Sequence, residues 1–218
     1  MKAIIKRALP ALLLACAASA QAGVIDMGSV DKNYGSAKGY VNPNAAVRKP
    51  CDKINANSIT VKDTASGCTW FSDVFDFSAL GAKNIDSFDL TLSFSNTNDS
   101  FALGPTRTYE DWRVVVGDSA TSKSATELDM TNSLALTTQT FHIDAKSHAD
   151  VFSSIAANGK FFLSFRDDSW LSSDFILRSA SLKVNGIEAS DVPEPASIAL
   201  FGVAMLGAAA ARRRRAAK

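Results

Sequence analysis

Histidine is scarce in this chain, and its scarcity removes many functions at once. Only His142 and His148 occur in 218 residues. One falls on an expected strand and the other near an expected helix, and their spacing matches no zinc motif. Cysteine is nearly as rare, with three in all. The motifs G-x-S-x-G and H-E-x-x-H, the phosphate loop and the dinucleotide fingerprint are all missing. No internal repeat is present, which excludes solenoids and propellers. Ice binding would need a flat, regular array of small polar side chains, and Thr137, Thr138 and Thr140 are too few to read as one. Long apolar runs are confined to the two ends of the chain.

The N-terminal run is a secretory signal over residues 1–22. Lys2, Lys6 and Arg7 precede Leu12, Leu13 and Leu14. The apolar part is too short for a permanent span. Ala20-Gln21-Ala22 is an A-x-A cleavage site, which leaves Gly23 as the first mature residue. Leu14-Ala15-Cys16 is a weaker, lipoprotein-like alternative. With Cys16 removed, Cys51 and Cys68 remain in an oxidising compartment. They are expected to form a disulfide closing a loop of about 18 residues, worth about 3 kcal/mol in the chain-entropy model. A reactive thiol pair is the alternative, although the spacing is not C-x-x-C.

The C-terminal segment, 192–218, has three parts. Val192-Pro193-Glu194-Pro195 comes first, and its prolines stop any regular element from running on. Residues 196–211 follow without a charge. As a helix they span about 24 Å, enough to cross a thinned bilayer. Arg212, Arg213, Arg214 and Arg215 then form a basic stop that stays cytoplasmic and leaves the body on the far side. The segment reads as either a plain transmembrane anchor or a sorting signal.

Between the ends lies one domain, 23–191. The signal holds three of the chain's 23 basic residues and the tail five, leaving 15; only Glu194 among 22 acids lies outside, leaving 21. The body is therefore about −6, which excludes nucleic acid as a partner. Residues 23–50 read as an irregular lead-in with one edge strand near Val24. Strands are then expected over 59–61, 70–77, 88–94, 110–117, 134–143, 160–165 and 175–184. Residues 96–105 and 118–130 are expected to be polar loops, and Asn185-Gly186 a turn toward the tail. A short helix is expected after Ser147, in a capping box with Asp150 and with His148, Phe152 and Ile155 on one stripe. Strands in succession with a single helix predict a mainly β fold, an antiparallel β-sandwich of jelly-roll type. A signal helix and a C-terminal transmembrane helix flank it.

Within the strand at 70–77, Phe71, Asp73, Phe75 and Phe77 share a face. Asp73 is a carboxylate among phenylalanines, and burial requires partners. Backbone N–H groups or an arginine such as Arg113 would make it structural; a metal or sugar ligand is the alternative. Trp170, following Asp167 and Asp168 on a loop, is a candidate for stacking on sugar rings. Asp167, Asp168 and Asp174 could offer oxygen to calcium, but without EF-hand spacing. A glycosidase acid pair would need a cleft that adjacent acids do not provide. Trp70 and Trp112 read as core. No cofactor, resident metal or catalytic residue is predicted.

Two resemblances add to these readings. The motif Pro193-Glu194-Pro195, the short apolar run and the arginine cluster resemble the PEP-CTERM tail of exported bacterial proteins. That resemblance implies cutting near the motif by a membrane-embedded exosortase, in the manner of GPI-type processing. It also implies export through the inner membrane, transient anchoring, and delivery to the cell surface or its exopolysaccharide biofilm matrix. The same tail is also catalogued as the C-terminal domain of ice-binding proteins, a label that describes the tail alone. Phe71-x-Asp73-x-Phe75 resembles the signature of the FxDxF family of PEP-CTERM proteins, which implies no activity. The reading is a non-catalytic surface or matrix protein whose partners are an exosortase, the membrane and exopolysaccharide. The rivals are a secreted polysaccharide-acting enzyme and a calcium-stabilised scaffold.

Overall fold

The computed structural model describes residues 23–41, 51–62, 71–98, 100–103, 106–169 and 174–187. In chain order the strands are β1 (Val24–Asn33), β2 (Lys53–Ile54), β3 (Ile59–Lys62), β4 (Ser72–Asp76), β5 (Ile85–Ser95) and β6 (Ser100–Leu103). They continue with β7 (Thr106–Tyr109), β8 (Trp112–Gly117), β9 (Thr126–Asp129), β10 (Thr137–Asp144), β11 (Lys160–Asp167) and β12 (Asp174–Ile187). Helix α1 (Ala149–Asn158) stands between β10 and β11. The fold is mainly β, all its pairings are antiparallel, and it forms one compact unit over Val24–Ile187. Among the described residues no helix is long and apolar enough to cross a membrane; the expected signal (1–22) and span (196–211) lie outside them.

Alternation dictates the larger sheet. Phe88, Leu90, Leu92 and Phe94 of β5 are all fully buried, while Asp89, Thr91 and Ser93 between them face outward. β5 lies between β10 and β12 in a six-stranded sheet. On its other side β12 is shared along its length. Its start pairs with β3 and its end with β1. The Tyr34 N–H bonds the Arg178 carbonyl at 2.9 Å where the two partners meet. The smaller sheet runs β4-β11-β8-β9, and β6 and β7 form a separate hairpin.

The apolar faces of the two sheets meet. Trp112 of β8 packs edge-on against Phe175 of β12 at 4.6 Å between ring centroids. Phe165 of β11 meets the same ring at 4.9 Å, and Phe161 meets Phe88 at 6.0 Å. Helix α1 adds Val151, Phe152 and Ile155 to this core. It stops at Gly159, whose N–H returns to the Ile155 carbonyl.

Several local expectations are corrected. The edge strand expected near Val24 is present but runs further into the lead-in than expected. β1 is a ten-residue strand paired with β12, and a bulge between Asp26 and Gly28 hides its alternation in the sequence. The 118–130 connection contains β9, and the 96–105 loop contains β6. β10 begins at Thr137; Leu134 and Leu136 are exposed before it. Asn185-Gly186 does not turn the chain, because a second bulge there lets β12 run on to Ile187. The Ser147–Asp150 capping box is not formed either. His148 is the N-cap without a side-chain bond, and Ser147 gives both its N–H and its hydroxyl to Asp144. Asp144 closes the turn before the helix and engages the serine that the capping box would have used.

Candidate functional site

β4 sets Phe71, Asp73, Phe75 and Phe77 on the inward face, each at most 2% exposed. Phe75 lies opposite Phe161 and Asp73 opposite Leu163. The strand period therefore forces a carboxylate into the core. Its charge is met by the ammonium of Lys32, which pairs with Asp73 Oδ1. The Val74 N–H adds a bond of 2.7 Å to the same oxygen. Lys32 belongs to β1, so this ion pair ties the larger sheet to the smaller. Its Nζ also stands 5.2 Å from the centre of the Phe75 ring, within cation–π range.

Two tyrosines complete the surroundings. Tyr34 and Tyr40 meet edge-on at 4.9 Å, and Tyr34 meets Phe71 at 5.6 Å. Burial raises both phenol pKa values far above the ordinary tyrosine range, and the Asp73 charge raises them further. The phenols therefore stay protonated. Asp73 Oδ2 and both tyrosine hydroxyls are buried without a partner at hydrogen-bond geometry among the described residues. Asp52 adds a second carboxylate. Burial pushes its pKa up to about 6, although the Lys62 N–H bonds Oδ1 at 3.2 Å. The cluster holds an ammonium-neutralised carboxylate among protonated phenols. The Lys32–Asp73 pair fastens β1 to β4 across the core.

Of the two partners considered for Asp73, a backbone N–H, that of Val74, is there, while Arg113 is elsewhere. It lies on the outer face of β8 and contacts Asp168 at 3.2 Å and Asp111 at 3.3 Å. Burial would lower its pKa, but the charges of Asp168, Asp111 and Asp129 prevail and hold it above the usual value. Arg166 of β11 takes the other Asp168 oxygen at 2.8 Å and Glu127 at 3.0 Å.

Asp167 ends β11 pointing inward. It accepts the Asp111 N–H at 3.0 Å, the Ser169 N–H at 2.8 Å and the Ser169 hydroxyl at 2.7 Å. Asp174 pairs loosely with Lys62 at 3.6 Å. The three acids considered for calcium are thus engaged separately, and no group of three or more metal-type side chains occurs among the described residues. Trp112 is core, and its indole N–H reaches Glu110 at 3.2 Å.

His142 is exposed on β10 between Asp89, at 2.7 Å, and Asp144, at 3.4 Å. The Asp89 bond raises its pKa above the ordinary value, and both carboxylates add to that. A shallow polar cavity of about 410 Å³ opens at the start of α1, lined by Lys123, Thr126, Ser147, His148 and Asp150 among others. No sequence-predicted site residue borders it.

The structure thus brings Phe71, Asp73 and Phe75 together and keeps Asp167 and Asp168 apart in role. Cys51 is described and half-buried, while Cys68, Trp170, Val192, Pro193, Glu194, Pro195 and the four arginines from Arg212 to Arg215 lie outside the described residues. Nothing in the sequence marks Lys32 as the partner of Asp73, or Tyr34 and Tyr40 as its neighbours. Lys32 is 41 residues away, and an inward lysine on an irregular-looking lead-in gives no local signal.

Comparison with known proteins bears on the tail. Residues 191–215 match the PEP-CTERM protein-sorting motif. This motif marks an exported, membrane-processed protein recognised by an exosortase-type enzyme. No curated protein matches the chain. Among solved structures the chain is similar to the coat protein of Tobacco streak virus, at 10% identity over 65% of this chain and 94% of that one. The TM-score of 0.25 is too low to carry an argument about fold or function.

Proposed function

We propose that this chain is a non-catalytic protein of the cell surface or extracellular matrix, released from its membrane tail by an exosortase and associated with exopolysaccharide. The sorting motif at 191–215 carries the reading. A signal at 1–22, a body at 23–191 and an apolar span at 196–211 supply the parts such processing needs. We read the body as a β-sandwich of jelly-roll type, which the contacts of Trp112, Phe165 and Phe161 across the two sheets support. Cys51 and Cys68 are proposed to pair within it, and Phe71, Asp73 and Phe75 to stand as an FxDxF-type signature with a structural role. The engagement of Asp167 by backbone and serine, and of Asp168 by two arginines, favours a non-catalytic body over a polysaccharide-acting enzyme.

Intact mass of the protein from its native host, with and without the exosortase, tests the proposal. The expected product begins at Gly23 and ends near residues 193–195 only when the exosortase is present. A tail retained through Lys218 in both strains would overturn sorting and leave a plain anchored domain.

A further inference from the structure

We infer that the outer face of the six-stranded sheet is a contact surface for neutral polysaccharide. This inference rests on the proposed matrix association and gives it a site. Strand register assembles the face from four strands distant in sequence. One row across β1, β12, β5 and β10 reads Asn33, Ser179, Ser93, Thr138. The next reads Asp31, Ser181, Thr91, Thr140. Six of these eight positions are serine or threonine, and none is aromatic or aliphatic. Neighbours across a row stand about 4.8 Å apart, and successive rows about 6.7 Å apart along the strands. In the second row the hydroxyls are held in two groups: Thr91 and Thr140 bond at 2.9 Å, while the Ser181 hydroxyl donates to Asp31, as does that of Ser29 at 3.1 Å.

A third row carries Lys183, Asp89 and His142, with both signs of charge present and paired. Asn185 donates to the second Asp89 oxygen at 2.8 Å. The face holds Asp26, Asp31, Asp89 and Asp144 against Lys183 and His142, so it shares the negative sign of the body.

Chemistry selects the occupant. Lipid binding would need apolar or basic side chains, and nucleic acid a basic stripe. Protein hot spots draw on tryptophan, tyrosine and arginine, which the two rows lack. A hydroxyl both donates and accepts, so a dense hydroxyl lattice matches a polymer whose own surface is hydroxyls. The negative body repels polyanions, and that leaves a neutral polymer as the complementary partner.

The test is affinity electrophoresis of the full-length chain in detergent micelles. Gels would hold hydroxyethyl cellulose, a neutral glucan, or alginate, a polyanion. The expected result is retardation by the neutral glucan. It should fall about tenfold in T138E/T140E. Both positions are exposed on an edge strand, so folding is retained, and thermal melts verify it. T140R, which adds bulk of opposite charge, should lose retardation as well. E127Q, on the outer face of the other sheet, should keep it.

Unchanged retardation in both face variants would overturn the inference. So would a wild-type chain slowed by alginate alone or by neither gel, or face-dependent inhibition of ice growth without glucan retardation. Intact mass separates the two readings. A correctly cut body that no glucan retards refutes the face and leaves sorting standing; an uncut chain that the glucan retards refutes sorting and leaves the face.

Discussion

Asp73 and Lys32 show how much a buried carboxylate depends on one partner. The Asp73 side chain is 3% exposed and that of Lys32 24%. Asp73→Ala would strand the ammonium, and Lys32→Met would strand the carboxylate. Each should cost about 3–5 kcal/mol in urea unfolding, the scale for breaking a buried ion pair. The double variant K32M/D73L should recover most of that loss, because an apolar pair of similar volume needs no charge compensation. Asp52 has the opposite character. Its folded pKa, raised by burial to about 6, exceeds the unfolded value of about 3.9. Stability is therefore drawn down as pH rises from about 4 to 6, and the penalty stands in full above that range. Asp52→Asn should raise the melting temperature at pH 7.5 and change it little at pH 4; equal effects at both would contradict the assignment. At this scale the sequence was half legible. The strand period placed Asp73 inside. The identity of its cation depended on a sheet pairing that no local pattern encodes.

Elements with clean alternation, such as β5, β8 and β11, could be read from the sequence because period two holds through their central residues. β1 could be read only as an edge strand near Val24, because the bulge between Asp26 and Gly28 shifts its phase, and β9 could not be read because it carries only Leu128 as an apolar marker. The loop after β1 depends on Gly35. Its φ is +120°, and a Cβ there would fall 2.5 Å from the Ala56 carbonyl oxygen. Gly35→Ala should cost about 2 kcal/mol or more, measured by chemical denaturation. The β5–β10 pair carries a pH signal. His142 has a folded pKa above its unfolded value of about 6.5, because Asp89 bonds its ring. Its stabilisation is fully present below about pH 6.5 and is lost as pH rises through the folded pKa. Melting temperature should fall slightly more between pH 6 and 8.5 in the wild type than in His142→Gln. The imidazole is 55% exposed, so the difference should be small. Asp144 acts at the acid end. Its folded pKa of about 2 lies below the unfolded value, so its contribution holds above about pH 4 and is lost as pH falls toward 2.

For the whole molecule, the tail was the most legible part, because its signal is compositional and contiguous. The fold class followed from periodicity. The hydroxyl face was invisible, since its rows join residues as distant as Asp31 and Ser181. The proposed Cys51–Cys68 bridge is tested by urea titration with and without reductant; reduction should cost about 3 kcal/mol. Pairing of Val24 with Ile187 sets a schedule for the chain. β12 is the middle of the larger sheet; β3 and β5 can pair earlier with β2 and β10, but β1 waits for it. A polypeptide threaded outward from its N-terminus keeps its first strand single until its last has emerged. By then only a few residues separate the growing fold from the sorting motif at 191–215. Closure of the sheet and arrival of the tail at the membrane thus fall at nearly the same moment, and a stalled export intermediate would be an open, protease-sensitive chain.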